Sequence, residues 1–265
     1  MATGFAPEHT RERLLQLYAF YHEIARIPDT VSEALIGQMR LAWARDALTD
    51  VFAFEPKVRR HDVYEGLAKL KTAPGAPSQG PLEALIEARS VDLGEGVFPS
   101  PEERLAYVDL TAVNLMRMAS QLCKEDALSD AENEAVTAAG RLWGLVGLIT
   151  AFAPLTEAGR PPFTEQELAQ SGLSEGDLAQ GQKDDVVKNV LKTGLLKEAR
   201  RYRQSLTQSR KVLGAELFPA IGYVVFADRY GSAFEALDDP YRNRVSVSQA
   251  ERQWRLVWAS LTGRL

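Results

Sequence analysis

Apolar residues recur at helical spacing along almost the whole chain, and this periodicity constrains the fold more than any other feature of the sequence. Alternating β-branched patterns are scarce, and the best candidate strand, residues 222–226 (GYVVF), lies inside a helical pattern. The chain has 265 residues, of which 45% are hydrophobic, so it can bury a large core. No long Gly/Ser-rich or Pro-rich spacer divides it. We therefore predict a single all-α domain over residues 1–265.

Capping residues and prolines indicate where the helices begin and end. Ser100, followed by Pro101 and Glu103, predicts the start of a helix that runs to about residue 124. Ser129 predicts the start of another, which ends near residue 153, before Pro154. Further helices are predicted over residues 14–21, 33–52, 56–70, 82–93, 184–207, 213–230 and from 246 or 248 onward, with short helices after Thr164 and Ser174 and a loop over 156–164. On the 33–52 helix we expect one face to carry Leu35, Ile36, Met39, Trp43, Ala47 and Leu48.

Composition excludes several classes of protein. The net charge of −5 argues against nucleic-acid binding, because an acidic chain gains little from neutralising phosphates. The lone Cys123 excludes an intramolecular disulfide framework and a cysteine metal cluster, and we expect it to pack as a small apolar residue. The N-terminus lacks an apolar signal region, and no apolar run reaches 18 residues. These features predict a cytoplasmic protein.

Residue pairs with the spacing of metal or phosphate sites are few. Carboxylates four residues apart share a helix face and could hold Mg²⁺ bridged to a diphosphate, although loop, capping and solvated surface roles suit the same pairs. These pairs are Asp46 with Asp50, Asp126 with Asp130, and Asp29 with Glu33. The three histidines have no partner at metal-ligand spacing. The basic tract over residues 192–211 suits a solvated helix face, or contact with anionic lipid or diphosphate.

Three glycines, Gly140, Gly144 and Gly147, lie on roughly one face of the predicted 129–153 helix. Glycines in such positions let helices approach closely, or leave space for a ligand beside the helix. We favour close packing as the interpretation.

Several segments, taken together and in the same order, resemble the squalene/phytoene synthase family. They are YAFYHEIA (18–25), LAWARDAL (41–48), LIEARSVDL (85–93), FPS (98–100), GRPPFTEQEL (159–168), GLSEGDL (172–178) and DPYR (239–242). The resemblance covers nearly the whole chain. It implies an all-α isoprenoid-synthase fold, with helices around a central cavity. In the family's enzymes, two aspartate-rich motifs bind Mg²⁺ and two prenyl diphosphates for head-to-head condensation.

The chain departs from the family at both aspartate-rich motifs. Where the first would stand, the sequence has Ala25 and Arg26, and only Asp29 remains. The second aligns with residues 145–154 (LVGLITAFAP), without its Asn or Asp. This loss resembles a non-synthase branch of the family, which includes the mitochondrial complex I assembly factor and its α-proteobacterial relatives. The resemblance implies a pseudoenzyme without catalytic residues, metal or cofactor that assists assembly of respiratory NADH dehydrogenase by binding.

Two interpretations of function therefore stand side by side. The first is the non-catalytic protein, with a respiratory-chain partner, an isoprenoid or other lipid in the cavity, and peripheral contact with the inner membrane through the basic tract or the Trp-bearing C-terminal helix. The alternative is an active Mg²⁺-dependent prenyl transferase acting on farnesyl or geranylgeranyl diphosphate with an altered site. The candidate diphosphate or cavity contacts are Asp29, Glu33, Arg45 and Arg89.

Overall fold

The computed structural model describes residues 2–263, which form helices joined by short loops. The first half contains α1 (Glu8–Ala25), α2 (Ala34–Phe52), α3 (Asp62–Leu70), α4 (Gln79–Val91), α5 (Pro101–Val108), α6 (Asn114–Lys124) and α7 (Asp130–Thr150). The second half contains α8 (Phe152–Glu157), α9 (Glu165–Ser171), α10 (Glu175–Ala179), α11 (Asp184–Leu191), α12 (Lys197–Ser209), α13 (Phe218–Ile221), α14 (Ala227–Glu235) and α15 (Gln249–Thr262). The predicted all-α class is confirmed. None of the helices formed by these residues is long and apolar enough to cross a membrane.

The helix starts predicted at Ser100, Ser129, Thr164 and Ser174 are confirmed by the hydrogen bonds of their caps. The Ser100 hydroxyl accepts from the Glu103 backbone N–H at 3.2 Å. Reciprocal capping boxes begin α7 at Ser129, α9 at Thr164 and α10 at Ser174. Each box pairs the cap with a carboxylate three residues later, which satisfies backbone donors that have no partner within the helix.

Helix α7 lies at the centre of the bundle. It packs against α12, α14 and α6, and against two π-helical turns, Asp109–Val113 between α5 and α6 and Lys192–Leu196 between α11 and α12. The main core of buried apolar residues runs through α1 to α14. A second, smaller cluster holds α15 and the N-terminal turn against the segment Gly222–Phe226; its buried members are Ala2, Val225, Phe226, Leu256 and Ala259.

The prediction for the buried face of α2 is wrong over the first half of the helix. Leu35, Ile36, Met39 and Trp43 are exposed, with Met39 at 66%. The buried positions are instead Gly37, Leu41, Ala44, Ala47, Leu48 and Val51. The apolar residues of α2 lie on several sides of the helix, so their spacing does not show which face is buried. The face rich in small residues is the one that packs on α3 and α4, because it allows close helix contact.

Three predicted boundaries also shift. The third helix begins at Asp62, because the chain around Pro56 is irregular. Helix α7 ends at Thr150, and α8 follows with Pro154 in its first turn, so part of the predicted 156–164 loop is helical. The predicted 213–230 helix is broken into short α and 3₁₀ pieces, and the candidate strand 222–226 is one of the 3₁₀ pieces.

The glycines of α7 divide into two that pack closely and one that does not. A Cβ on Gly140 would lie 2.7 Å from Val113 Cα, and one on Gly144 would lie 2.5 Å from Val108 Cγ1. Both neighbours belong to the α5–α6 segment that crosses α7. A Cβ on Gly147 would meet nothing within 4 Å. Close packing is therefore confirmed for Gly140 and Gly144.

This difference predicts opposite effects of one substitution in the same helix. Gly140→Ala should lower the free energy of unfolding by roughly 1–3 kcal/mol, because backbone atoms of Val113 must move. Gly147→Ala should leave it unchanged or raise it by up to about 1 kcal/mol, because alanine favours a helix. Urea unfolding of both variants measures the two values. Equal destabilisation by both variants would contradict the close approach at Gly140.

Candidate functional site

A cavity of about 420 Å³ opens between α1, α6, α7, the segment before α14, and α15. Its walls are mainly aromatic: Tyr18, Tyr21, Trp143, Tyr223, Phe226 and Tyr230. Trp143 projects from the central helix and meets Tyr223 edge to face, with ring centroids 4.9 Å apart. Leu256 and Gln253 of α15 close one side. Such a surface suits an apolar molecule.

Two tyrosines of this cavity, Tyr18 and Tyr223, keep their protons at physiological pH. Burial raises the pKa of Tyr18 and the pKa of Tyr223 above the ordinary tyrosine value. The Tyr18 hydroxyl is buried and has no hydrogen-bond partner among residues 2–263. Tyr18 and Tyr223 therefore present no charge to a ligand, and Arg252 of α15 adds a cation to the cavity lining.

One end of the cavity meets a buried network centred on Arg89, in the last turns of α4. Arg89 is only 7% exposed. Its Nη1 donates to Asp92 Oδ2 at 2.7 Å and to the Tyr107 hydroxyl at 3.1 Å, and its Nη2 donates to the Tyr21 hydroxyl at 3.0 Å. The guanidinium also lies over the rings of Tyr21 and Tyr107, 5.2 and 5.8 Å from their centroids. Tyr21 thus belongs to both the cavity wall and the network.

Asp92 neutralises this end of the molecule. Its Oδ1 accepts from the Tyr107 hydroxyl at 2.9 Å and lies 3.2 Å from Arg160 Nη1, while its Oδ2 binds Arg89. Burial is the main cause of a raised Tyr107 pKa, so that hydroxyl keeps its proton and can donate. Arg160 Nη2 lies 3.8 Å from Asp29 Oδ1 at the rim. We call these six residues, Tyr21, Asp29, Arg89, Asp92, Tyr107 and Arg160, the Arg89 network.

Backbone pairing holds Arg160 beside Asp92. The Gly96 N–H donates to the Gly159 carbonyl at 2.8 Å, and the Phe98 N–H donates to the Phe163 carbonyl at 2.9 Å. Gly159 has a φ of +73°, a conformation that glycine adopts without strain. The pairing joins the loop after α4 to the loop after α8, so residues distant in sequence reach one site.

A buried ion pair anchors the same two loops. Arg104, 2% exposed, donates to both Glu167 oxygens at 2.7 and 2.9 Å and to the Pro162 carbonyl at 3.1 Å. Glu167 is also the capping-box carboxylate of α9. Helix α5 is thereby tied to the segment that follows Arg160.

The four candidate residues from the sequence fall in two groups. Arg89 is the centre of the network, and Asp29 joins its rim with a side chain that is 73% exposed. Glu33 is exposed just before α2, without a side-chain hydrogen bond to the helix start. Arg45 pairs with Glu87 at 2.6 Å on the surface. The structure therefore brings Asp29 and Arg89 into one network and leaves Glu33 and Arg45 outside it.

Sequence reasoning did not single out Tyr107 or Arg160 as site residues. Asp92 lies three residues after Arg89 in the segment LIEARSVDL, a spacing that suits a side-chain pair on a helix. Arg160 lies in the GRPPF segment, but nothing in the sequence indicated that it would reach Asp92. Tyr107 carried no signal, because a tyrosine on α5 suits a core position equally well.

The segments aligned with the family's aspartate motifs lie at helix ends. Ala25 ends α1, and Asp29 lies in the 3₁₀ turn Pro28–Thr30. On α7, the Thr150 hydroxyl donates to the Gly147 carbonyl at 3.0 Å, within its own helix. Across residues 2–263, no three His, Cys, Asp or Glu side chains are grouped so that they could share a metal ion.

The family model for squalene/phytoene synthase matches residues 1–252. The chain belongs to the squalene/phytoene synthase family, as the sequence segments predicted. Over 245 residues it is 24% identical to the rat protein named NADH dehydrogenase (ubiquinone) complex I, assembly factor 6, a match that covers 88% of this chain and 68% of the relative. It is also 26% identical over 178 residues to a chloroplastic phytoene synthase of an Oncidium hybrid cultivar, covering 65% of this chain and 43% of that one.

Solved structures of synthases share the fold. The squalene synthase HpnC from Alicyclobacillus acidocaldarius superposes with a TM-score of 0.70 at 18% identity, covering 89% of this chain and 84% of the other. A dehydrosqualene synthase in complex with ligand superposes with a TM-score of 0.71 at 16% identity, covering 98% and 89%. The predicted isoprenoid-synthase helical bundle is confirmed.

The Arg89 network makes a prediction about stability. Asp92→Asn removes the carboxylate that faces both Arg89 and Arg160, and should lower the free energy of unfolding by about 3 kcal/mol, because a buried cation loses its counter-charge. Asp46→Asn, on the exposed face of α2, is the control and should change it by less than about 0.5 kcal/mol. Urea unfolding measures both. An Asp92→Asn variant as stable as the control would show that the network contributes nothing to folding.

Proposed function

We propose that this chain is a non-catalytic member of its family that acts by binding, and that it assists assembly of the respiratory NADH dehydrogenase. The observation that carries the proposal is the Arg89 network. Its cations are neutralised by the protein's own carboxylates, and it contains Asp29 and Arg89, two of the candidate diphosphate contacts that follow from the family resemblance.

A diphosphate would have to compete with internal partners for these cations. Arg89 is buried and bonded to Asp92 and two tyrosines, and Arg160 is close to both Asp92 and Asp29. Breaking a buried pair leaves the displaced carboxylate without a counter-charge, which costs about 3–5 kcal/mol. A diphosphate therefore gains less here than at a site with free cations.

The residues present do not fit a Mg²⁺ cluster. Mg²⁺ requires near-octahedral oxygen ligands and usually binds through carboxylates together with the substrate phosphates. Asp92 directs both oxygens at Arg89, Arg160 and Tyr107. Asp29 contributes one exposed carboxylate, and the α7 end offers Gly147 and a Thr150 hydroxyl bonded to its own helix. The proposal accordingly contains no metal-dependent step.

The aromatic cavity gives the binding role a physical basis. Its mainly aromatic walls suit an isoprenoid or another apolar chain, Arg252 adds a cation to the lining, and the related dehydrosqualene synthase structure contains a ligand. The assembly role is supported by the relatives from rat and human, which are named as complex I assembly factors. Under the proposal, the partner is a protein of the respiratory chain.

Calorimetric titration with a non-hydrolysable farnesyl diphosphate analogue separates this proposal from the prenyl transferase alternative. The proposal expects no binding, or binding that Mg²⁺ does not change, since residues 2–263 contain no carboxylate cluster that could share a metal ion. Farnesyl and geranylgeranyl diphosphates incubated with the protein and Mg²⁺ should release no diphosphate. Tight Mg²⁺-dependent binding with product formation would establish the enzyme and overturn the proposal.

Complementation in the source organism tests the assembly role. Deletion of the gene is expected to reduce assembled complex I and NADH:ubiquinone oxidoreductase activity, and the wild-type gene should restore both. The double variant Asp29→Asn, Glu33→Gln removes the two candidate metal-binding carboxylates, so it should restore them equally well if no metal chemistry is involved. Normal complex I in the deletion strain would refute the assembly role, and failure of the double variant despite normal protein levels would favour the transferase.

A further inference from the structure

Helix α15 carries an unusual apolar stripe on its outer face. Trp254, Val257, Trp258 and Leu261 are 69%, 42%, 55% and 78% exposed. Their spacings of three and four residues place them on one side of the helix. The opposite side carries Leu256 and Ala259, which are buried against the segment Gly222–Phe226. The helix is therefore apolar on two faces. Its four outer residues are largely exposed, and Trp254 and Trp258 border a groove that Arg203 and Asp228 also line. We call the four exposed residues the α15 stripe.

Positive charge is concentrated in the same part of the chain. Residues 241–265 include five arginines and one acidic residue, Glu251, for a net charge of about +4, whereas the whole chain has −5. Arg242 and Arg244 are exposed in the segment just before α15. Glu251 accepts from Arg229 at 3.1 Å and from Arg255 at 3.0 Å, so the one anion is already paired. Asp228 borders Trp254 and Trp258, and Arg242 Nε lies 3.7 Å from Asp239 Oδ2, but the excess of arginines still leaves this part of the chain positive, which favours an anionic surface.

We infer that the α15 stripe docks on the surface of an anionic lipid bilayer. Tryptophan combines a large apolar ring with an N–H donor, and it is enriched at the boundary between headgroups and hydrocarbon. A helix with tryptophan and leucine on one face and nearby arginines is typical of segments that lie in the plane of this boundary. At 14 residues, α15 is too short to cross a bilayer and suits this orientation.

The docking surface backs directly onto the cavity. Gln253 and Leu256 line the cavity from the inner face of α15, while Trp254 and Val257, one position further along the helix, face outward. Bilayer contact would therefore place the cavity wall at the membrane. The surface is separate from the Arg89 network, so the two can be tested independently.

Co-sedimentation of the full chain with vesicles tests the inference. The protein should sediment with phosphatidylcholine vesicles that contain phosphatidylglycerol, much less with phosphatidylcholine alone, and less at high salt. Trp254→Ser with Trp258→Ser should weaken binding roughly tenfold or more, because two interfacial side chains are lost. Arg242→Gln with Arg244→Gln should weaken binding to the anionic vesicles and reduce the salt dependence.

A matched control uses the exposed apolar residues of α2. Leu35→Ser with Met39→Ser removes a similar exposed surface from a segment without excess positive charge, and should bind vesicles as the wild type does. Circular dichroism confirms that each variant is folded. The inference is overturned if the wild type does not bind anionic vesicles, or if the Trp254→Ser, Trp258→Ser variant binds them as well as the Leu35→Ser, Met39→Ser control does. It is also overturned if size exclusion shows that Trp254 and Trp258 instead hold two copies of the chain together.

Discussion

A guanidinium buried inside a helical bundle must be hydrogen bonded and neutralised, and Arg89 sets this requirement for one whole end of the molecule. Asp92 supplies the charge, and Tyr21 and Tyr107 supply two further acceptors and two aromatic faces. These partners come from α1, α4 and α5. Arg89 Nε is buried and has no hydrogen-bond partner among residues 2–263. Arg160 arrives from the loop after α8, so four separate parts of the chain meet around a single cation.

The helical bundle and the charged end of the molecule depend on the sequence in different ways. The bundle superposes on synthases at identities below 20%, because helix packing depends on residue size and periodicity more than on identity. The charged end depends on particular carboxylates and cannot vary in this way. Membership of the family therefore determines the fold, while the chemistry follows from the few residues at that end.

Much of the fold was predictable from the sequence, because helix periodicity and capping are local properties. Ser100, Ser129, Thr164 and Ser174 marked helix starts correctly. The buried face of α2 was not predictable, because the helix has apolar residues on several sides. Only its packing against neighbouring helices decides which side is buried. The irregular path over residues 213–226 was missed because its apolar pattern is also compatible with a continuous helix. In the site, Arg89 and Asp92 share a helix and were recognisable, whereas Arg160 reaches them through backbone pairing between distant loops.

Tyr21 has a consequence beyond its place in the cavity wall. Its ring faces the space that an apolar molecule would occupy, and its hydroxyl accepts a hydrogen bond from Arg89. A guest that pushed this ring aside would also strain the bond to the guanidinium, and through Asp92 the strain would reach Arg160 and the outer loops. The protein with an apolar molecule in the cavity would then differ from the unbound protein in the stability of these loops. A partner that contacts the loops would therefore respond to the bound molecule without touching it.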